Sequence, residues 1–161
     1  MKIEAITREN LPRCRDLILP YIYEELEAFA GDPAAEYICL AYNAQDDDGT
    51  VLPVSALVML REPEGELALL SVFTLPEYRR QGYASELLSK AVFVARQLFR
   101  FEEGEDEIFL DLKAVYRLSD EYRTAFEGFL KVNGFTDFYL LNEDDDPQVW
   151  AAISELCFYR T

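Results

Sequence analysis

The chain contains no histidine, which removes the commonest general base and the commonest metal ligand. Cysteine is scarce. Cys14, Cys39 and Cys157 are odd in number, far apart and set among apolar neighbours, which argues for buried free thiols and against a disulfide framework or a metal site. No apolar run reaches the roughly 20 residues that cross a bilayer. The opening "MKIEAITREN" lacks the apolar stretch and small-residue cleavage site of a secretory signal, so a cytoplasmic protein without membrane attachment is expected. Basic residues are outnumbered too, 15 against 31 acidic ones, for a net charge of −16. A field of that sign repels nucleic acid and favours cationic partners, and no basic stripe offsets it.

What the chain does have is apolar substance. Half of its 161 residues are hydrophobic and 14% are aromatic, ample for a packed core. No repeat or low-complexity linker interrupts it, so a single domain over residues 1–161 is expected. The negative charge is uneven: "DDD" at 46–48, "EEGEDE" at 102–107 and "EDDD" at 143–146 hold twelve of the acids, and elsewhere 19 acids face 15 bases. These segments read as solvated loops. None has the spaced acids, central glycine and closing glutamate of a calcium loop.

Met1–Ile6 alternates as a strand, and Leu11, Cys14, Leu17 and Ile18 then recur at helical spacing. A second short helix is expected over Tyr21–Ala30, ended by "GDP". Three apolar runs follow, "YICLAYN", "VLPVSALVML" and "ELALLSVFTL", separated by the turn-rich "AQDDDGT" and "REPEG". Gaps that short imply an antiparallel meander. From Gly82 the period changes: Ala84, Leu87, Leu88, Ala91, Val92, Ala95, Leu98 and Phe99 share one helical face, with Glu86, Ser89, Lys90, Arg96 and Gln97 mostly opposite. The strand "EIFLDLKA" follows at 107–114. Ser119 then caps a helix with Asp120 and Glu121 in its first turn. Tyr122, Ala125, Phe126, Phe129 and Leu130 give that helix a core stripe, and Asn133–Gly134 end it. Two strands, "FTDFYLLN" and "VWAAISELCFYR", complete the order, with Trp150 in the core of their hairpin. A long helical crossover makes the strands at 66–75 and 107–114 parallel. The expected class is α/β: a mixed, largely antiparallel sheet with helices on both faces.

One junction asks for an explanation. "EYRRQGYASELL" sets two arginines and a glycine where a strand gives way to the long helix, in a chain that is otherwise acidic. Gly82 lets the backbone turn without a Cβ in the way. Successive N–H groups from Gln81 to Ser85 would converge as an anion nest at the positive end of the helix, with Arg79 and Arg80 as counter-charge. A plain glycine turn with two solvated arginines is the other reading of this spacing.

The wider stretch "LLSVFTLPEYRRQGYASELLSKAV" resembles the acyl-CoA-binding motif of the GCN5-related N-acetyltransferases, Gln/Arg-x-x-Gly-x-Gly/Ala, with Arg79, Gly82 and Ala84 at the pattern positions. The element order and "FLKVNGF" at 129–135 resemble the same family along nearly the whole chain. That resemblance implies acetyl-CoA as co-substrate and a sheet splayed between its fourth and fifth strands, with the pantetheine arm in the opening. It implies arm contacts to the main chain near Phe73, Thr74 and Leu75, and a pyrophosphate held by Arg79, Arg80, Gln81, Gly82, Tyr83, Ala84 and Ser85. An amine acceptor is the other partner, and a monomer or homodimer is expected.

The catalytic groups depart from the family's pattern. Its frequent glutamate base on the fourth strand falls on Ala68, and its tyrosine acid in the last helix falls on Leu130. Asp111, the acid within the fifth-strand run, is one substitute, or else an alternating residue on a solvated sheet face. Glu24, with Glu25, Tyr21 and Tyr23, lies on the second helix, which the family uses as an acceptor wall; a solvated helix face explains these residues equally well. Two functions follow: direct acetyl transfer to the primary amine of a small cationic acceptor, or a non-catalytic module that keeps only the acyl-CoA loop.

Overall fold

The computed structural model describes residues 2–29, 36–62, 66–103, 107–116, 120–142 and 146–159; of these, 29, 99–103, 107–111, 120, 121, 139, 141, 142 and 146–159 are described by backbone alone. The strands are β1 (Ile3–Ala5), β2 (Tyr37–Gln45), β3 (Val51–Glu62), β4 (Glu66–Thr74), β5 (Glu107–Tyr116), β6 (Asp137–Asn142) and β7 (Asp146–Tyr159). The helices are α1 (Pro20–Phe29), α2 (Tyr83–Glu103) and α3 (Asp120–Val132). The strands form one sheet in the order β1-β2-β3-β4-β5-β7-β6. Every pairing is antiparallel except β4 with β5, the two strands that α2 connects.

Helices cover both faces. On one, Leu87, Leu88, Ala91, Val92 and Ala95 of α2 and Leu130 of α3 pack with Leu57, Met59, Leu67 and Leu112 of the sheet. On the other, Leu11, Cys14 and Leu17 join Ile22, Tyr23 and Leu26 of α1 over Ala56 and Val58. Neighbouring β3 residues thus serve opposite cores, which is why its sequence runs apolar without alternation. Full burial of one leucine, such as Leu87, is worth about 1.5–3 kcal/mol.

Three expectations need correction. The segment Leu11–Leu17 is a 3-10 helix, not an α-helix; its buried residues recur every third position, and that is the repeat a 3-10 turn stacks. Leu98, expected on the buried face of α2, is 39% exposed, so the stripe runs out after Ala95. Tyr122 was expected in the core but is 51% exposed. The side chain of Trp150 lies outside the described residues.

α3 ends as its sequence dictates. Gly134 takes φ +92°, and the N–H groups of Phe135 and Gly134 donate to the carbonyls of Leu130 and Lys131 at 3.0 and 3.2 Å. This is the Schellman ending, in which Phe135 and Leu130 are both buried.

The feature that positions the site is a parting of β4 from β5. Pairing runs only from Glu66–Leu69 to Asp111–Ala114, although β4 continues to Thr74 and β5 to Tyr116. At the same place the β3–β4 register slips. Val58 faces Ser71 and Met59 faces Leu69, leaving Leu70 as the extra residue of a bulge. The sheet therefore splays between β4 and β5 just past that bulge.

Candidate acyl-CoA site

The opening widens into a cleft of about 1060 Å³. Leu69–Thr74 and Val115–Tyr116 form its edges, the connection Arg15–Pro20 forms one wall, and Phe126 and Phe129 of α3 form another. The helix start, with Arg79, Arg80 and Tyr83–Ser85, closes one end. Antiparallel pairing uses the main chain of alternate residues for each neighbour. Leu75 N–H donates to Val54 O at 2.9 Å, so Leu75 and Phe73 turn their main chain toward β3. Val72 and Thr74 turn theirs to the opening. Of the residues on which the resemblance placed arm contacts, Phe73, Thr74 and Leu75, only Thr74 turns its main chain to the opening.

The loop before α2 is shaped by two left-handed residues, Arg80 at φ +65° and Gly82 at φ +81°. An L-residue in that region costs about 1–2 kcal/mol, so Arg80 is held there by its surroundings. A Cβ on Gly82 would meet nothing within 4 Å, so the glycine answers to its φ and leaves open space above the loop. Gly82 O accepts from Glu86 N–H at 2.9 Å, which starts the helix and leaves its first-turn N–H groups without intrahelical acceptors. Left-handed residues just before a helix start help turn successive N–H groups to one side, as in an anion nest.

Side chains lock that loop. Arg79 Nε donates to Thr74 O at 2.9 Å, and its guanidinium lies 5.1 Å from the centre of the Phe73 ring. Tyr83 stacks on Tyr42 with centroids 4.2 Å apart and donates its hydroxyl proton to Gln81 Oε1 at 2.8 Å. Asn133 Nδ2 donates to Ser85 Oγ at 3.1 Å, tying the end of α3 to the start of α2. Among the described residues, the cleft is lined by three guanidiniums, Arg15, Arg79 and Arg80, and one carboxylate, Asp16. A protein of charge −16 has thus made its cleft locally cationic. Such a cradle fits a phosphorylated carrier whose arm runs down a free strand edge.

The profile of the Acetyltransferase (GNAT) family matches residues 3–117. The chain belongs to that family. Enzymes of the GNAT family are acetyl-CoA-dependent N-acetyltransferases, and acetyl-CoA is the co-substrate here. No curated protein matches this sequence. Its fold is similar to that of a GNAT-family protein from Desulfovibrio desulfuricans, at 15% identity and TM-score 0.68 over 96% of each chain. It is also similar to the PaiA N-acetyltransferase of Thermoplasma acidophilum in complex with coenzyme A, at 15% identity and TM-score 0.59 over 97% of this chain and 100% of that one. An acetyltransferase of the GNAT family from Staphylococcus aureus Mu50 gives 15% identity and TM-score 0.60, covering 94% and 97%.

The expected GNAT site residues fall in different places. Phe73, Thr74, Arg79, Arg80, Gly82, Tyr83, Ala84 and Ser85 line the one cleft, while Gln81 accepts from Tyr83 and Leu75 bonds to β3. Glu24 is exposed on α1 and is not among the residues that line the cleft. The backbone of Asp111 is in register with Glu66 on one side and Glu155 on the other; its side chain lies outside the described residues. Ala68 and Leu130 are buried, at 6% and 0% exposure, so neither position offers a proton-transfer group.

Residues absent from the sequence reading also line the cleft: Arg15, Asp16 and Tyr116. Phe129 and Tyr122, read as core, line it as well. A signal for the first two was present, since "RD" sets two charges in the last turn of the Leu11–Leu17 helix, beside the apolar Leu17, Ile18 and Leu19. Leu19 N–H donates to Ser71 Oγ at 3.3 Å, which holds that connection against β4. Two of the thiols, Cys14 and Cys39, are poorly suited to nucleophilic work. Burial pushes Cys14 up to about 11 and Cys39 up to about 12, so both stay protonated near neutral pH.

Proposed function

We propose that the protein transfers the acetyl group of acetyl-CoA to the primary amine of a small cationic acceptor, directly, within a ternary complex on one domain of residues 1–161. The observation that carries this reading is the parting of β4 and β5 beyond Leu69 and Ala114, whose free edge leads straight to the left-handed turn at Arg80 and Gly82. The pyrophosphate would sit on the N–H groups of Gln81–Ser85, with Arg80 facing it. Charge-assisted hydrogen bonds of that kind contribute about 1.5–3 kcal/mol each. The pantetheine arm would run along Val72 and Thr74, with the acetyl group near Leu70. The amine would enter from the Arg15–Pro20 wall, where Asp16 meets an ammonium group.

The overall charge of −16 supports a cationic acceptor, and the protonated thiols of Cys14 and Cys39 support direct transfer over an acetyl-enzyme. Asp111 stays a candidate base from β5, while Glu24 would act only through its field, from outside the cleft. The same reading makes the enzyme cytoplasmic, as a monomer or homodimer. Among the described residues, no helix is long and apolar enough to cross a membrane.

Calorimetric titration with acetyl-CoA tests the site. Wild-type protein should bind and Gly82→Trp should not; no binding by wild type refutes the reading. A second reading, a non-catalytic acyl-CoA-binding module, is favoured by the buried apolar pair Ala68 and Leu130. Turnover on a panel of neutral and cationic amines, followed by free-thiol detection, separates the two. Use of neutral or acidic amines alone would remove the cationic preference.

A further inference from the structure

We propose that Tyr116 and Glu127 form a two-way proton relay for the acetyl transfer, in place of the groups that Ala68 and Leu130 do not supply. The inference rests on the cleft being the acetyl-CoA site. Tyr116 ends β5, two residues past Ala114, where pairing with β4 stops. The five residue steps from Thr74 back to Leu69 span about 17 Å of strand, so an arm that starts at the loop before α2 brings its thioester toward this same point. Tyr116 is 5% exposed, yet it lines the cleft.

Its hydroxyl donates to Glu127 Oε2 at 3.1 Å, while Glu127 Oε1 accepts from Arg123 Nε at 2.9 Å. Phe126 meets the ring edge-on at 5.0 Å and fixes it. The phenolic proton therefore points at α3, and the relay takes the remaining lone pairs of that oxygen as the acceptor for a proton from the cleft. Burial, and then the charge and hydrogen bond of Glu127, raise the phenol above its ordinary value; Arg123 opposes this only in part. Both charged groups come from α3. The phenol stays neutral, and the hydrogen bond it donates to the Glu127 carboxylate polarises its oxygen into a better acceptor.

The transfer then balances without another co-reactant. As the acceptor nitrogen bonds to the acetyl carbon, an N–H proton moves to Tyr116 Oη and the phenolic proton passes to Glu127. When the C–S bond breaks and its electron pair stays on sulfur, Glu127 returns its proton to Tyr116 and the phenolic proton goes to the thiolate. One C–N and one S–H bond form, one C–S and one N–H bond break, and the dyad ends as it began. Arg123 acts through Glu127 and is a positioning residue.

The test compares full-length wild type with Tyr116→Phe, Glu127→Gln and Glu127→Asp. Acetyl-CoA affinity is measured by calorimetry, turnover on the amine panel by thiol detection, the solvent deuterium effect on kcat, and tyrosine ionisation by NMR of isotope-labelled rings. Tyr116→Phe and Glu127→Gln should bind acetyl-CoA like wild type, lose about 100-fold or more in kcat and show a smaller deuterium effect. Glu127→Asp, which keeps a carboxylate, should recover part of the rate, and Glu127→Gln should let the Tyr116 phenol ionise closer to its ordinary range. Near-wild-type kcat in Tyr116→Phe, or loss in Tyr116→Phe but not in Glu127→Gln, overturns the relay and leaves the dyad as a tie between β5 and α3. Acetyl-CoA binding without turnover on any amine overturns the relay while sparing the cofactor site. Failure of wild type to bind acetyl-CoA overturns the reading of the cleft, and the relay with it.

Discussion

The two ends of the β4–β5 pair are built from similar residues and do opposite work. At the closed end, Leu67, Leu69, Leu112 and Ala114 are at most 1% exposed. Lys113 bridges Glu62 at 2.8 Å and Glu66 at 3.6 Å across that end. At the open end the strand is equally apolar in "LSVF", but Leu70, Val72 and Phe73 are only half-buried and Val115 is 42% exposed. Hydrophobicity does not separate the two ends. One extra residue, Leu70, bends β4 away and frees backbone groups that the closed end spends on β5. A strand edge left unpaired is costly unless a ligand or water meets it, and here it faces a cleft.

Substitutions at either end should therefore act on different observables. The largest effect is expected from Leu69→Ala at the closed end, where a cavity in the core costs about 2–5 kcal/mol of stability in a denaturant titration. Gly82→Trp, beyond the open end, should weaken acetyl-CoA binding at least tenfold, about 1.4 kcal/mol in a calorimetric titration. Its strain at positive φ adds a stability loss of about 1–2 kcal/mol. If Leu69→Ala spared stability, or Gly82→Trp spared binding, the division between the ends would fail.

Lys113→Met should cost less, at most about 1 kcal/mol, because the bridge is partly solvated. Its hydrogen bond to Glu62 raises the ammonium above its ordinary 10.5, so this stabilisation is complete at neutral pH and fades only as pH climbs past that value. The gap between wild type and variant should accordingly close in alkaline melts. The smallest effect is expected from iodoacetamide near neutral pH on a Cys157→Ser variant, since Cys14 and Cys39 stay protonated; the rate of acetyl transfer should be unchanged. Rapid loss of activity would reopen an acetyl-enzyme path.

Much of this was legible in advance, for local reasons. The change from strand runs to a 3.6-residue stripe at Gly82 marks the start of α2, and Asn133–Gly134 marks the end of α3, because turn and cap preferences act over a few residues. The 3-10 helix at Leu11–Leu17 was misread because i, i+3 spacing suits both helix types. Tyr122 departs from the core because an apolar stripe has the same pattern whether it faces a core or a cleft, while Phe129 packs against the core and lines the cleft as well. Asp16 and Tyr116 were missed for a related reason: nothing near them in sequence shows that the Arg15–Pro20 connection and the end of β5 border one cleft.

By itself, then, the sequence determined the element order, the parallel β4–β5 pair and the glycine turn that opens α2, since each depends on periodicity, crossover length or a glycine's φ. Only the tertiary structure decided where β4 leaves β5, that Val72 and Thr74 turn their amides to the opening, and that Tyr116 meets Glu127. Those outcomes depend on strand register, and a slip of one residue leaves composition and period untouched while it redirects every hydrogen bond that follows.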